Sequence, residues 1–260
     1  MQTRIFYIIY FICFYSFSQE FRDSTILADL DQYYDNNGVA IADYDQDGDL
    51  DIFLVGYFSD ENNHSRLLEN TNDGKFIDIT SSTGINQNLQ HDLAIDLPST
   101  YFNGERLSAS WGDFNNDGYP DLFLGNLVQS ELYKNNGNGT FSNITESAGF
   151  EIYCENCFIS GAIWLDYDLD GFLDIFISDY HTNSPNKLYR NLGDEKFELV
   201  DLSSVIENKN SYSAISMYIN DDQYPDIYVA NDFDQDNFLL INQEGNGFIN
   251  EANTYNLEDP

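Results

Sequence analysis

The stretch Val39 to Gly56, VAIADYDQDGDLDIFLVG, sets five aspartates at alternate positions around Gly48 and then runs straight into Ile52-Phe53-Leu54-Val55. Asp and Gly at this density specify a turn, because their side chains or backbones favour tight local conformations. The four residues that follow are β-branched, aromatic or aliphatic without polar alternation, the pattern of a strand buried on both faces. Written by position, the acidic part is D-x-D-x-D-G-x-x-D. A tightly wound loop turns the side-chain oxygens of positions 1, 3 and 5 toward one centre. Glycine at position 6 allows a turn that a Cβ resists. Position 7 can add a backbone carbonyl, and the carboxylate at position 9 closes the shell. An all-oxygen set of this size suits Ca²⁺ at about 2.3–2.6 Å. Without His or Cys it suits zinc and copper poorly, and Mg²⁺ dehydrates too reluctantly for such a cage.

The pattern returns twice. Asp113-Phe114-Asn115-Asn116-Asp117-Gly118-Tyr119-Pro120-Asp121 and Asp166-Tyr167-Asp168-Leu169-Asp170-Gly171-Phe172-Leu173-Asp174 share D-x-[DN]-x-D-G-x-x-D, and each feeds an apolar strand. The expected ligands are Asp43, Asp45, Asp47, Asp49 and Asp51; Asp113, Asn115, Asp117, Tyr119 and Asp121; and Asp166, Asp168, Asp170, Phe172 and Asp174, with the position-7 residues acting through their carbonyls. A fourth copy, Tyr218 to Asp226, keeps Asn220, Asp222 and Asp226 but loses the first acid and the glycine, which makes a good calcium site there doubtful. The run Asp232, Asp234, Asp236 has neither glycine nor closing acid and reads as a solvated loop. An EF-hand begins the same way but needs a Glu at position 12 and flanking helices. Here position 12 is Leu54, Leu124 and Ile177. One copy alone is equally well an Asp/Gly turn without metal; three copies in register are not.

Working outward, each loop is followed by a second signature: RLLENTNDGKFIDIT, ELYKNNGNGTFSNIT, KLYRNLGDEKFELVD and FLLINQEGNGFINEA. Each reads as strand, Gly-containing turn, strand. Every unit therefore offers about four short strands in roughly 50 residues, the size of a β-propeller blade. A β-sandwich would show more polar alternation and no metal loop at fixed register. No window carries a capped 3.6-residue apolar period, so little helix is expected. The blades fall at about residues 31–80, 101–150, 158–206 and 211–256, with a polar insert from Asn86 to Arg106 read as a surface loop.

Composition supports a folded, acidic, exported chain. Of 260 residues, 45 are acidic and 10 basic, a net charge of −35. That excludes non-specific nucleic-acid binding and docking on an anionic membrane. Disorder, the usual reading of such acidity, fails against 42% hydrophobic and 16% aromatic residues. Residues 1–18, with Arg4, the apolar run Ile5 to Tyr15 and small Ser16 and Ser18, read as a signal peptide cleaved after Ser18. The mature chain, residues 19–260, is then expected outside the cell, at its surface or in a periplasm, without a membrane-spanning segment. Its remaining Cys154 and Cys157 read as a local disulfide and are too few for structural zinc.

The acidic loop, the apolar strand and the L-Y-x-N-x-G-x-G-x-F signature together resemble the FG-GAP/VCBS repeat of integrin α-chain propellers and secreted bacterial proteins. The stretches VANDF and NNGNGTFSNITESAGF (Asn135 to Phe150) look most like the secreted branch related to cartilage acidic protein. The resemblance implies an all-β, calcium-stabilised propeller, usually seven-bladed, serving adhesion or recognition, with the metal loop in the first hairpin of each blade. It leaves the ligand, protein or glycan, unnamed. Propellers of this type also accompany polysaccharide-active enzymes, which is the alternative reading. The expected chain is not itself an enzyme: it has no G-x-S-x-G, H-E-x-x-H or phosphate loop. His64, His91 and His181 occupy inequivalent loop positions, and Trp111 and Trp164 sit where core packing accounts for them. Residues 19–30 resemble a fifth outer strand placed before the first loop, so four blades in an open arc of a larger ring are expected, with a compact four-bladed ring as the runner-up.

Overall fold

The computed structural model describes residues 22–33, 36–56, 65–85, 106–126, 130–150 and 157–257. The expected signal peptide, Cys154, His64, His91 and most of the polar insert lie outside these residues.

Among the described residues sixteen strands form four antiparallel four-stranded sheets, each a simple meander. The first contains β1 (Asn36–Ala42), β2 (Asp51–Gly56), β3 (Arg66–Asn70) and β4 (Phe76–Asp78). The second contains β5 (Arg106–Gly112), β6 (Asp121–Asn126), β7 (Glu131–Asn135) and β8 (Phe141–Asn143). β9 (Ile159–Leu165), β10 (Asp174–Asp179), β11 (Lys187–Asn191) and β12 (Phe197–Val200) form the third. The fourth is built from β13 (Ser211–Met217), β14 (Asp226–Asn231), β15 (Phe238–Asn242) and β16 (Phe248–Asn250). Among the described residues helix is confined to two single turns, α1 (Thr80–Thr83) and α2 (Thr145–Ala148), each following an outer strand.

The first strands of successive sheets pack side by side in the order β1, β5, β9, β13. The sheets thus radiate from an arc of inner strands, and an apolar core fills each gap. Phe53, Val55, Leu122, Leu124 and Tyr133 fill the first gap; Phe114, Phe123, Ile175, Ile177 and Phe150 the second; and Phe176, Leu188, Ile227, Val229 and Phe238 the third. The middle strands show the consequence. Every residue of β6 and of β10 is buried, because those sheets have neighbours on both sides. In the end sheets β2 and β14 mix buried with half-buried residues. Among the described residues, no extensive contact joins the first sheet to the fourth. Among the described residues the sheets follow one another as an arc, and closure into a compact four-bladed ring is not seen.

Close approach of the sheets explains one glycine. A Cβ on Gly112 would meet the ring of Trp164 at 2.6 Å, so this position in β5 is held free for the indole of the next sheet. Trp111 and Trp164 both pack into the gaps between sheets, where Phe114 stacks on Trp164 with ring centroids 6.3 Å apart.

The expected fifth outer strand is not a strand in its described part. Residues 25–29 form a turn, and residues 22–24 belong to no strand. An outer strand exists by pairing with a third strand, and among the described residues no strand pairs with this segment.

Candidate metal centre

The four acidic loops join β1 to β2, β5 to β6, β9 to β10 and β13 to β14, so all of them lie at one end of the sheets. Three are wound alike. Position 4 takes a left-handed conformation in each, with φ of 63° at Gln46, 57° at Asn116 and 59° at Leu169, and the position-6 glycines follow at 98°, 93° and 92°. A Cβ at φ near 95° would strain the turn, which is why glycine holds position 6 in all three loops.

The first acid organises each loop. Asp43 Oδ2 accepts from Gly48 N at 3.1 Å, Asp113 Oδ2 from Gly118 N at 2.9 Å, and Asp166 Oδ2 from Gly171 N at 3.0 Å. The last acid is a latch. Asp121 Oδ2 accepts from Phe114 N at 3.2 Å and its Oδ1 from Asn135 N at 2.8 Å. Asp51 and Asp174 make the same pair of bonds to Tyr44 and Asn70 and to Tyr167 and Asn191. Even the fourth loop keeps it, through Asp226 to Ile219 N and Asn242 N. Position 9 therefore ties loop, second strand and third strand together.

Positions 1, 3 and 9 converge. One oxygen from each of Asp43, Asp45 and Asp51 lies within 4.8 Å of the other two, and Asp166, Asp168 and Asp174 form the same group. In the second loop position 3 is Asn115, whose Oδ1 accepts from Asp117 N at 3.0 Å. Position 5 stays at the rim: Asp47, Asp117 and Asp170 are exposed, and each gives Oδ1 to the backbone N–H two residues on. The position-7 residues Asp49, Tyr119 and Phe172 donate those N–H groups. Asp43 Oδ1 and both carboxylate oxygens of Asp49 are buried without any hydrogen-bond partner.

Burial acts against these charges. It pushes the carboxyls of Asp51, Asp121 and Asp174 up to about 6, about 8 and about 7, although the backbone N–H bonds pull the other way. Burial also raises Asp45, Asp49 and Asp168, with neighbouring carboxylates adding to the effect. Two carboxylates about 4 Å apart repel by about 4 kcal/mol at an effective dielectric of 20. The first and third loops fit a cation, with grouped carboxylates in both, partnerless oxygens in the first and no nitrogen or sulfur donor in either group.

Two features of the site were not read from the sequence. Arg190 in β11 already supplies a positive charge to the third loop, with Nη2 2.6 Å from Asp168 Oδ2 and 3.2 Å from Asp170 Oδ2. The corresponding residue of the second sheet, Lys134, instead pairs with Glu195 across the gap. The other feature is the asparagine ending each third strand. Asn135 Nδ2 donates to Pro120 O in its own sheet and, at 2.8 Å, to Tyr44 O in the preceding loop. Asn191 reaches Phe114 O and Asn242 reaches Tyr167 O, both at 2.8 Å. Loops touch one another as well, through Asn116 Nδ2 to Gly171 O at 2.8 Å and through Gln46 to Gly118 O. The asparagines recur in the sequence at the end of each L-Y-x-N run, but nothing local says that they face a neighbouring sheet.

The fourth loop departs. Tyr218 at position 1 is exposed, and neither Asp221 nor Gln223 takes a positive φ. The loop thus lacks the first acid that gathers the others and the glycine that turns them, while Asp222 and Asp226 keep their backbone bonds. The run Asp232, Asp234 and Asp236 is exposed, as a solvated loop should be, with Tyr180 donating its hydroxyl to Asp232. His181 lies in the loop after β10, where its Nδ1 accepts from Asn183 N at 3.2 Å.

Radiating four-stranded sheets with an acidic, oxygen-lined loop in each first hairpin define a propeller-like repeat protein. The chain belongs to the FG-GAP-like repeat family, which matches residues 43–124, 113–177 and 166–229, each match running from one acidic loop to the strand beyond the next. Cartilage acidic protein 1 of Xenopus tropicalis is 29% identical over 167 residues, 62% of this chain and 22% of that protein. The Homo sapiens protein is 28% identical over 175 residues, 65% of this chain and 23% of its own length. The chain thus spans under a quarter of these curated relatives. An Agrocybe aegerita lectin that recognises non-reducing terminal N-acetylglucosamine superposes with a TM-score of 0.48 at 14% identity, over 82% of this chain and 51% of that one. A likeness at that level bears on neither ligand nor activity.

Proposed function

We propose that this chain is an exported, calcium-stabilised recognition module in which the metal is structural and the ligand is a protein or a glycan. The supporting observation is a loop gathered in the same way three times by its position-1 acid, with positions 1, 3 and 9 converging in the first and third loops and three carboxylate oxygens of the first buried without partners among the described residues. Asp43, Asp45, Asp49 and Asp51 would hold the first ion, Asp113, Asn115, Asp117 and Asp121 the second, and Asp166, Asp168 and Asp174 the third. Bound calcium would neutralise the carboxylates and fix the loops from which the asparagine clasps take their acceptors. Export agrees with the disulfide at Cys157, since such bonds persist in oxidising compartments. Recognition agrees with a cleft of about 700 Å³ lined by Asn186, Lys187, Leu199, Leu202 and Glu207, which mixes polar and apolar groups as ligand sites do.

Calcium titration by calorimetry, with thermal melts in calcium and in EGTA, tests the metal. Modules outside the cell bind calcium at about 10⁻⁴–10⁻³ M. At millimolar calcium each site then adds about 1 kcal/mol. Three sites correspond to roughly 6–12 °C in Tm for a chain of this size. No heat of binding and an unchanged melt in EGTA would sink the calcium role. A glycan array then separates glycan from protein ligands.

A further inference from the structure

Aromatic rings gather where the third and fourth sheets meet, at the end opposite the acidic loops. Phe158 directly precedes β9, Tyr180 directly follows β10, Tyr212 is the second residue of β13, and Phe233 lies just past the end of β14. The Tyr180 ring is the hub. Its centroid is 5.4 Å from that of Phe158, 5.8 Å from Tyr212 and 6.0 Å from Phe233. Phe158 and Tyr180 are half-buried, whereas Tyr212 is 65% and Phe233 68% exposed. Apolar residues exposed singly need no explanation, but rings clustered in the open mark an interaction surface.

Backbone, not burial, holds the outermost ring in place. Phe233 and Asp234 take φ of 57° and 55°, a left-handed conformation that residues with a Cβ seldom adopt. Such strain persists where the surrounding structure over-determines it, and it clusters at ligand sites. Here Asn210 fixes the surroundings. Asp232 N donates to Asn210 O at 3.0 Å, Asn210 Nδ2 donates to Tyr180 O at 2.9 Å, and Asn210 N donates to Gln235 Oε1 at 2.7 Å. The loops after β10 and β14 are thereby tied into one corner, and Phe233 is presented rather than left loose.

The charge around the rings has one sign. Asp232, Asp234 and Asp236 are exposed on the same loop. Tyr180 donates its hydroxyl to Asp232 Oδ2, and Phe233 N donates to Asp232 Oδ1 at 2.8 Å. Those bonds hold the Asp232 carboxyl below its ordinary value, so it stays charged. Lys209, at the same corner, donates to Asp236 O at 3.0 Å and lies over the buried Phe238 ring, 4.6 Å from its centroid. The corner therefore offers aromatic surface and negative charge outward, while its polar side chains bind one another.

We propose that Tyr180, Tyr212 and Phe233, with Asp232 and Asp234, dock an arginine-bearing basic segment of a partner protein, a choice of partner that rests on the chain being a recognition module. A guanidinium can stack on an aromatic ring and fork onto a carboxylate, and this corner sets ring and carboxylate side by side. A small free ligand is enclosed over most of its area by its site. Two of these rings are exposed, and an open surface suits a side chain presented by a larger partner, where tyrosine and arginine are favoured. The net charge of −35 steers a basic partner inward and repels a second copy of this chain. A neutral glycan needs hydrogen-bonding groups, and Asp232, Asn210 and the Tyr180 hydroxyl already bond within the corner.

The probe is a short fluorescein-labelled peptide of alternating arginine and glycine, with a lysine counterpart, titrated by anisotropy against the full chain in millimolar calcium and physiological salt. Tyr212→Thr combined with Phe233→Asn removes the exposed rings without changing charge, and asparagine accepts the left-handed conformation. The arginine peptide should bind the parent and lose roughly tenfold in the double variant at unchanged Tm. The lysine peptide should bind the parent more weakly than the arginine peptide. Equal affinity of the arginine peptide for parent and double variant is bulk attraction to an acidic surface and overturns the proposal. Asp232→Asn keeps an oxygen for the Tyr180 hydroxyl and should weaken binding, whereas Glu146→Gln, the same loss of charge on the second sheet, should not; equal effects overturn the proposal. Tetramethylammonium that binds as tightly as the peptide overturns it in favour of a small amine. A chain that binds no peptide overturns it too. A glycan-array signal in that case, lost in the double variant, gives the rings to a glycan and leaves the recognition reading standing.

Discussion

Replacing Asp121 by alanine should separate the two tasks of the position-9 carboxylate. Asp121 is fully buried, and its oxygens satisfy Phe114 N at 3.2 Å and Asn135 N at 2.8 Å. Alanine leaves both N–H groups buried without an acceptor, at about 1–3 kcal/mol each. The loss, about 2–6 kcal/mol, is a large share of a typical domain stability of about 5–15 kcal/mol. At roughly 2–4 °C per kcal/mol, Tm should fall by about 5–20 °C, and it should fall in EGTA as well as in calcium because the latch is made of backbone hydrogen bonds. Asp43→Asn is the counterpart. An asparagine oxygen can still accept from Gly48 N, the one bond that Asp43 makes in the loop, while one charge leaves the cluster with Asp45 and Asp51. That variant should melt like the parent in EGTA and lose only the calcium-dependent part of the stability. Scanning calorimetry of both variants in the two conditions is the assay. If Asp121→Ala melts with the parent in EGTA, the latch argument is wrong. If Asp43→Asn keeps the full calcium shift, position 1 is not a ligand.

Further outcomes follow from the same geometry. In metal-stripped protein, Asp51, Asp121 and Asp174 titrate at about 6, 8 and 7 in the fold against an ordinary 3.8; between these values the folded state holds more protons than the unfolded, so stability should fall as pH rises from about 5 to about 8. Calcium, by holding the three as carboxylates, should flatten that slope, and melts across this range with and without the metal check it. Arg190→Gln removes a resident cation from Asp168 and Asp170, so terbium luminescence should report tighter binding at the third loop and no change at the first. Gly112→Ala forces a Cβ to within 2.6 Å of the Trp164 ring; such overpacking costs about 1–3 kcal/mol, to be seen as a lower Tm in either condition.

The sequence by itself determined the unit and its chemistry. Asp at positions 1, 3, 5 and 9 with glycine at 6 is a local instruction, because the residues that wind the loop are neighbours in the chain, and the structure shows the same left-handed positions in Gly48, Gly118 and Gly171. The apolar runs after the loops likewise announced strands covered on both sides, since only a sheet with two neighbours can bury every residue of β6 and β10. What only the tertiary structure decided lies between units. The role of Asn135, Asn191 and Asn242 depends on a carbonyl 75 to 91 residues away. Arg190 meets the third loop by reaching across from β11, whereas Lys134 at the matching place turns to Glu195. Residues 22–30 resembled a strand because their side-chain pattern is that of an outer strand. Strand structure, however, is a property of a pair, and among the described residues no strand pairs with them. Side-chain pattern is carried by the chain, but hydrogen bonding across a gap is settled only when a second sheet arrives to fill it.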